Sequence, residues 1–217
     1  CEYVSKLEEG NVDIEPFTFD ELRHLLDVLW EKDPEWHDLF LFWSRTGLRP
    51  GEFYALKWEH IDFFNEQVSI RASLDRTGKD GPVKTKHSNR TINLRPAVID
   101  TLKRQQARTG LLNKWIFLNH RQKQWNQTSF NGAFRYRLRL AGVKYRPPKQ
   151  MRHTFATLHI AAGESITWVS KTLGHSNVQI TLKRYNRYIP NLTREDGSAF
   201  EKVINGNNPV TSNCNAS

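Results

Sequence analysis

The chain has 217 residues, of which 38% are hydrophobic and 25% charged, the composition of a folded domain with a substantial core. No apolar run approaches the roughly 20 residues needed to cross a bilayer and no signal peptide is visible, so the sequence favours a cytoplasmic protein. The two cysteines, Cys1 and Cys214, lie near opposite ends, and their spacing predicts neither a disulfide framework nor a metal site.

The positive charge is concentrated in about a third of the chain. The formal net charge is +9, and residues 128–190 hold eleven lysines and arginines against one acidic residue, Glu164. A localised basic surface predicts a polyanionic partner, with DNA or RNA as the first candidates. The alternative is that these charges only keep the surface solvated.

The amino-terminal part is predicted to be a linker followed by two helices. Met151 is the only methionine, which indicates a fragment of a longer protein, and residues 1–16 resemble the end of a linker from a missing DNA-binding domain. A T-x-x-E capping box begins at Thr18, and the leucines that follow at helical spacing predict a helix ending near Asp33. A second, almost entirely apolar helix is predicted over residues 36–45.

Residues 46–52, with the sequence TGLRPGE, predict a tight joint between helices. The first glycine supplies a helix C-cap, and Pro50 suits the first turn of a helix that would run to about Trp58. Arg49 is therefore held at the joint by backbone features. Glu52 lies in the first turn, where it can pair with a cation.

The middle of the chain predicts a small antiparallel sheet of three short strands. Residues 67–71 and 90–94 alternate apolar and polar side chains, and residues 83–86 are assigned to the middle strand. Lys84 and Lys86 lie on or beside a hairpin turn, where a long side chain can reach a neighbouring cleft. The alternative for one of these lysines is a charged edge position that blocks aggregation.

Later segments return to a helical pattern, with helices predicted over residues 95–108 and 129–141. The expected fold is α+β, a mainly helical domain with a small three-stranded antiparallel sheet. We assign residues 17–190 to this domain. Residues 191–217 form a polar tail that is predicted to be partly disordered and is a candidate for docking onto a second protomer.

Residues 149–185 gather reactive side chains within a short stretch. Lys149 and Arg152 are three residues apart and share one face if they open a helix. His175 follows a glycine that ends a predicted helix, and Tyr185 lies ten residues further on. Each of these residues taken singly fits a solvated or half-buried surface position. Together, two cations, an imidazole and a phenol indicate a phosphodiester and a tyrosine that attacks it.

Five motifs carry a resemblance to a known family. They occur in the order TGLRPGE at 46–52, VKTK at 83–86, KQMRHTFAT at 149–157, LGHS at 173–176 and Tyr185. Together they resemble the catalytic domain of the tyrosine recombinases, the phage-integrase family, over roughly residues 18–188. The order and spacing of the motifs make this resemblance far more specific than any one of them.

The resemblance implies the main catalytic roles. Arg49 and Arg152 correspond to the two arginines of the family, which neutralise charge on the phosphate. His175 corresponds to the histidine of the LGH motif and Tyr185 to the nucleophile. Glu52 occupies an acidic position that supports the site without reacting.

The resemblance leaves the catalytic roles of the lysines open. Lys84 corresponds to the catalytic lysine of the hairpin, which protonates the departing 5′ oxygen, and Lys86 is the second choice because a hairpin register slips easily by two residues. Lys149 occupies a position where the family usually has histidine. This departure leaves open which group takes the proton from the tyrosine.

The implied function is a site-specific DNA recombinase, bacterial or phage-encoded, that cleaves and rejoins DNA through a covalent 3′-phosphotyrosine without ATP, metal or other cofactor. The implied partners are double-stranded DNA and further copies of the chain, a tetramer on DNA and a monomer alone. The open alternatives are a type IB topoisomerase-like enzyme and a non-catalytic DNA-binding module of the same fold.

Two further groups of residues complete these expectations. The predicted DNA contacts outside the catalytic set are Lys86, Arg135, Arg139, Lys144, Arg146 and Arg184. Three histidines without a motif context are interpreted as structural or surface residues, namely His24, His153 and His159.

Overall fold

The structure, a computed structural model, describes residues 14–75, 78–83, 86–110 and 113–189. Within these ranges the chain is mainly helical, with short antiparallel strands between its third and fourth helices. The helices are α1 Phe19–Lys32, α2 Pro34–Thr46, α3 Pro50–Tyr54, α4 Pro96–Thr109, α5 Gln127–Leu140, α6 Gln150–Ala161, α7 Ile166–Leu173 and α8 Val178–Tyr185. No helix of this described part is long and apolar enough to cross a membrane. The predicted fold class is confirmed.

The first two helices follow their sequence signals closely. The capping box at Thr18 is present, because its hydroxyl accepts from the backbone N–H of Glu21 while the Glu21 carboxylate accepts from the N–H of Thr18. Asp33 ends α1 and also caps α2, with Pro34 in its first turn. Gly47 ends α2 in the left-handed conformation, at φ +62°.

An aromatic core fixes the turn that carries Arg49. Trp43 of α2 is fully buried and stacks on Phe53 of α3, with ring centroids 4.3 Å apart. The indole N–H of Trp43 donates to the carbonyl oxygen of Leu48 at 2.7 Å. The residue before Arg49 is thus tied to the core through its own backbone.

The helix after this turn is shorter than predicted. It was expected to reach Trp58, but α3 ends at Tyr54. The backbone of Leu56 accepts a hydrogen bond from the N–H of Ile116 at 3.2 Å, and Lys57 forms a β-bridge with Trp115. Pairing with this distant segment replaces the intrahelical hydrogen bonds that would have continued the helix.

The strands form two small sheets. Strands β1 Ile61–Asp62, β2 Gln67–Ile70 and β5 Arg90–Asn93 form an antiparallel sheet in the order β1-β2-β5, and β3 Ala72–Leu74 pairs with β4 Asp80–Pro82. The predicted strands at 67–71 and 90–94 are confirmed.

The predicted middle strand at 83–86 is wrong. The middle strand is β2, residues 86–88 form a 3₁₀ turn, and residues 84–85 lie outside the described part of the chain. Strand β4 ends at Pro82, which has no N–H to donate to a continuing ladder.

A second, smaller core joins the carboxy-terminal helices. Phe155 and Ile160 of α6, Val169 and Leu173 of α7, and Tyr185 of α8 are buried together. A 3₁₀ turn over Asn186–Tyr188 follows α8. Residues 1–13 of the predicted linker at 1–16, and the whole predicted tail at 191–217, lie outside the described residues.

Candidate active site

Arg49 and Glu52 form one unit at the start of α3. The Glu52 carboxylate accepts from the backbone N–H of Arg49 and from its guanidinium, each at 2.9 Å. Glu52 is buried, whereas the Arg49 side chain remains 40% exposed. The carboxylate therefore holds the arginine in place while leaving part of its guanidinium open to a ligand.

Arg90 completes this unit, although the sequence motifs did not predict it as a site residue. Its guanidinium, on β5, donates to both carboxylate oxygens of Glu52 at 3.0 and 2.9 Å and to the carbonyl oxygens of Ser88 and Thr172. Burial opposes ionisation of Glu52, but the hydrogen bonds and charge of Arg90 prevail and lower its pKa. The signal for Arg90 was weak, since an arginine opening an exposed-looking strand is usually solvated.

Arg152 links the two glycine-capped turns. Its guanidinium, buried at the start of α6, donates to the carbonyl oxygens of Gly47 at 3.0 Å and of Leu173 at 2.7 Å. Gly47 precedes Arg49 by two residues and Leu173 precedes His175 by two. One side chain thereby brings the two distant motifs together.

The surroundings of Arg152 disfavour its positive charge. Burial, reinforced by the nearby charges of Arg49 and Arg90, lowers its pKa to about 9, and Glu52 opposes that shift. The guanidinium still carries its charge at neutral pH. Three arginines around one carboxylate leave a net positive site that favours an anion.

Glycine is required at Gly174, the residue before His175. It ends α7 at φ +68°, and a Cβ there would lie 2.9 Å from the carbonyl oxygen of His87 and 3.1 Å from the Cδ of Arg90. The close approach of this turn to Arg90 places His175 at the same cluster of arginines.

The imidazole of His175 is held by α8. Its Nδ1 lies 2.7 Å from the Thr181 hydroxyl. Burial, together with the charges of Arg152, Arg49 and other nearby arginines, lowers the pKa of His175 to about 3. The ring is therefore neutral at physiological pH.

Tyr185 is fully buried and contacts a histidine that sequence reasoning set aside. The Nδ1 of His153 lies 2.8 Å from the Tyr185 hydroxyl. Burial raises the pKa of Tyr185 to about 12, although Arg152 and Arg184 act against it. Burial also lowers the pKa of His153 to about 4, with Arg184 and Arg152 contributing.

His153 was interpreted as a structural or surface residue, and this contact places it beside the predicted nucleophile. The position of His153 directly after Arg152 was the available signal. On α6 a side chain one residue further turns by about a quarter of the helix circumference, so His153 faces α8 while Arg152 faces the two turns. His24 and His159, by contrast, contact the backbone carbonyl oxygens of Ala141 and Phe155.

The candidate catalytic lysines lie in different parts of the chain. Lys149 is the exposed N-cap residue of α6, so it does not share the buried environment of Arg152. Lys84 lies outside the described residues. The backbone of Lys86 lies in the 3₁₀ turn that leads to Ser88, whose hydroxyl is 3.4 Å from the Arg49 guanidinium.

A cleft of about 450 Å³ opens beside Arg49. It is lined by Gly51 of α3, Ser73 of β3, Gln127 at the start of α5 and Ser88 of the 3₁₀ turn, among others. No group of three or more histidine, cysteine or acidic side chains suited to a metal ion is found among the described residues. The side chains that meet at this site supply guanidinium, imidazole and phenol groups.

The sequence profile of the Phage integrase family matches residues 15–191. The chain belongs to the phage integrase family. The match spans every described element of the site, from the turn at Arg49 to Tyr185.

Two curated relatives illustrate the similarity. The prophage integrase IntR of Escherichia coli K12 is 28% identical over 218 residues, which cover 89% of this chain and 52% of the relative. A XerC-like tyrosine recombinase of Caldanaerobacter subterraneus is 31% identical over 208 residues, covering 84% of this chain and 53% of the relative. The chain thus spans about half the length of these relatives.

Solved structures share the fold. The Tn1549 transposon integrase in complex with circular intermediate DNA superposes with a TM-score of 0.75 at 21% identity, covering 90% of this chain and 68% of that one. The XerA recombinase superposes with a TM-score of 0.66 at 20% identity, covering 91% and 66%. At this level of identity the likeness establishes the fold.

The predicted DNA contacts other than Lys86, whose side chain lies outside the described part of the chain, divide into two groups. Arg135, Arg139, Lys144 and Arg184 are exposed. Arg146 is instead 7% exposed, pairs with Glu21 at 2.9 Å and lies over the Phe17 ring. Its contacts fit a residue that holds the segment before α1 against the domain, so we leave Arg146 out of the proposed DNA surface.

Proposed function

We propose that this chain is the catalytic part of a site-specific DNA recombinase that cleaves and rejoins DNA through a covalent 3′-phosphotyrosine. The observation that carries the proposal is the position of Arg152, whose bonds to Gly47 and Leu173 join the turns of Arg49 and His175. Two arginines, a neutral imidazole and a phenol then share one positively charged site.

The reaction follows from these groups. The Tyr185 oxygen attacks the phosphorus of the scissile diester, the bond to the 5′ oxygen breaks, and the protein becomes joined to the 3′ phosphate. Arg49 and Arg152 neutralise the charge that accumulates on the non-bridging oxygens. Lys84, or else Lys86, protonates the departing oxygen. Attack by that 5′ hydroxyl reverses the step, so rejoining consumes no ATP.

We propose His153 as the acceptor of the tyrosine proton. Its Nδ1 is within hydrogen-bond distance of the Tyr185 hydroxyl, whereas Lys149 is exposed at the start of α6. Because burial raises the pKa of Tyr185, a neighbouring acceptor is needed during attack. Since the Tyr185 ring is fully buried in the free chain, its hydroxyl must also become accessible before it meets DNA.

Double-stranded DNA is the proposed substrate. Support comes from the basic residues 128–190 and from two structural neighbours, the Tn1549 integrase in complex with circular intermediate DNA and the XerH recombinase bound to a palindromic difH substrate. The exposed residues Arg135, Arg139, Lys144 and Arg184 are the proposed backbone contacts. Assembly as a tetramer on DNA and a cytoplasmic location belong to the same proposal.

The test is a trapping experiment. The protein is incubated with a duplex that carries its crossover site and a nick next to the scissile phosphate, so that the short 5′ product diffuses away and rejoining fails. We expect a covalent protein–DNA band on a denaturing gel, formed equally in EDTA and without ATP. Absence of an adduct on a substrate that the protein binds would contradict the proposal.

His153→Ala is expected to slow single-turnover cleavage by ~10²–10⁴-fold, the range for loss of a general base, while DNA affinity stays unchanged. Because the pKa of His153 is lowered to about 4, the ring stays a neutral acceptor at higher pH, so wild-type cleavage should lose little between pH 7 and about pH 5. Rates are measured by quenched trapping across this pH range.

Two matched variants separate this role from general damage. His159→Ala removes another half-buried histidine of α6 that bonds to a backbone carbonyl, and cleavage should remain normal. Lys149→Ala should slow cleavage less than His153→Ala does. A larger loss for the lysine variant would assign proton acceptance to Lys149 instead.

A further inference from the structure

We propose that Thr181 fixes His175 in the tautomer that carries its proton on Nε2, which makes the histidine a hydrogen-bond donor to the phosphate. Thr181 is then a positioning residue that acts through His175. This inference rests on the proposed function for its catalytic consequence, but the tautomer itself is a property of the free protein.

The contact is short and enclosed. The Thr181 hydroxyl lies 2.7 Å from Nδ1 of His175, and Thr181 is fully buried in α8. His175 lies on the turn after α7 and is only partly buried. The Nδ1 side of the ring is therefore attached to the helix that carries Tyr185, and Nε2 is the nitrogen left to meet a ligand.

Thr181 differs from four other buried helical threonines. Thr46, Thr101, Thr154 and Thr157 each donate their hydroxyl proton to the backbone carbonyl four residues earlier. Within the described ranges, the hydroxyl of Thr181 has a single hydrogen-bond partner, Nδ1 of His175.

This difference decides the direction of the hydrogen bond. A buried hydroxyl that donates to nothing costs ~1–3 kcal/mol. Nδ1 is the acceptor within reach of Thr181, so the hydroxyl proton points at Nδ1. An Nδ1 that accepts cannot carry a proton of its own.

The ring carries one proton in total. Burial disfavours a second proton on His175, because that proton would make the ring positively charged, and the charges of Arg152, Arg49, Arg184 and Arg90 act in the same direction. A neutral imidazole with an accepting Nδ1 has its proton on Nε2. The nitrogen left for the phosphate is a donor and is unable to take the tyrosine proton.

The two histidines of the site thus have separate tasks. His175 stabilises charge on the phosphate, and His153 at the Tyr185 hydroxyl accepts the proton. The same residue type serves both because each ring is oriented by a different hydroxyl, that of Thr181 or that of Tyr185.

The first experiment measures the tautomer without DNA. In protein labelled with ¹⁵N-histidine, long-range ¹H–¹⁵N spectra distinguish a protonated from an unprotonated ring nitrogen, and a His175→Gln variant assigns the signals. We expect His175 as the Nε2–H tautomer in the wild type and in Thr181→Ser, and a mixture in Thr181→Val, which keeps the shape but removes the donor. Wild-type His175 protonated on Nδ1, or a spectrum unchanged by Thr181→Val, would overturn the inference.

The second experiment measures the consequence on the nicked DNA substrate. Thr181→Val should slow single-turnover cleavage by ~10²-fold, near the lower end for loss of a transition-state donor, with DNA affinity unchanged and near-normal cleavage in Thr181→Ser. Thr101→Val is the matched control, because Thr101 is equally buried but lies in α4, and it should cleave normally. Equal cleavage by Thr181→Val and wild type would refute the positioning role.

Failure of the proposed function gives a different result. If the wild type forms no adduct, the recombinase assignment fails while the Nε2–H tautomer and its dependence on Thr181 still stand in the spectra. If the tautomer is wrong, cleavage by the wild type persists.

Discussion

Tyr185→Phe is expected to abolish the covalent protein–DNA adduct and to leave DNA binding intact. The change removes only the attacking oxygen, while the fully buried ring still packs with Phe155 and Leu173 in the smaller core. Loss of the hydrogen bond to His153 should cost no more than ~1–3 kcal/mol of stability. Trapping on the nicked substrate measures the adduct, and a mobility-shift titration measures binding.

The matched control is Tyr188→Phe. Tyr188 lies three residues further along the chain, in the 3₁₀ turn after α8, and it also packs against the smaller core. This variant should form the adduct at the wild-type rate. An adduct that survives in Tyr185→Phe and disappears in Tyr188→Phe would move the nucleophile to Tyr188.

Arg152→Lys is expected to reduce single-turnover cleavage by ~10²–10³-fold, as for loss of one transition-state donor, although the positive charge is kept. A guanidinium can bond two backbone carbonyls and still present donors to a phosphate, whereas an ammonium is a compact charge without that planar geometry. The bonds to Gly47 and Leu173 would be lost or weakened, and the turns of Arg49 and His175 would lose their common partner. DNA affinity should change much less than the cleavage rate.

Arg104→Lys supplies the comparison. Arg104 of α4 bonds the buried carboxylate of Asp38 through two of its nitrogens, away from the proposed site. This variant should lower the melting temperature and leave cleavage unchanged. Normal cleavage by Arg152→Lys would show that charge alone suffices at that position and would refute the role of its bonds to the two turns.

The sequence determined the local features of this protein. The capping box at Thr18, the glycine that ends α2, and the buried stripe of Phe130, Phe134 and Leu138 on α5 depend on neighbours within one or two turns. Such signals depend on residues only a few positions apart in the chain, so they can be interpreted without knowing the fold. The motif order also indicated the family, which the sequence profile confirmed.

The length of α3 and the arrangement of the strands depended on distant partners. Leu56 and Lys57 leave the helical path because they pair with Ile116 and Trp115. β2 lies between β1 and β5 in the sheet. The polarity pattern of a short segment does not specify which strands become its neighbours, so this order could not be predicted from the sequence.

Only the tertiary structure decided the supporting contacts of the candidate site. Arg90 reaches Glu52 from 38 residues away, His153 reaches Tyr185 from 32, and Arg152 reaches Gly47 from 105. These side chains meet because helices and strands from separate motifs pack on shared cores. The sequence supplied the chemistry of the residues from 149 to 185, and packing selected which imidazole faces the phenol and which is held by Thr181.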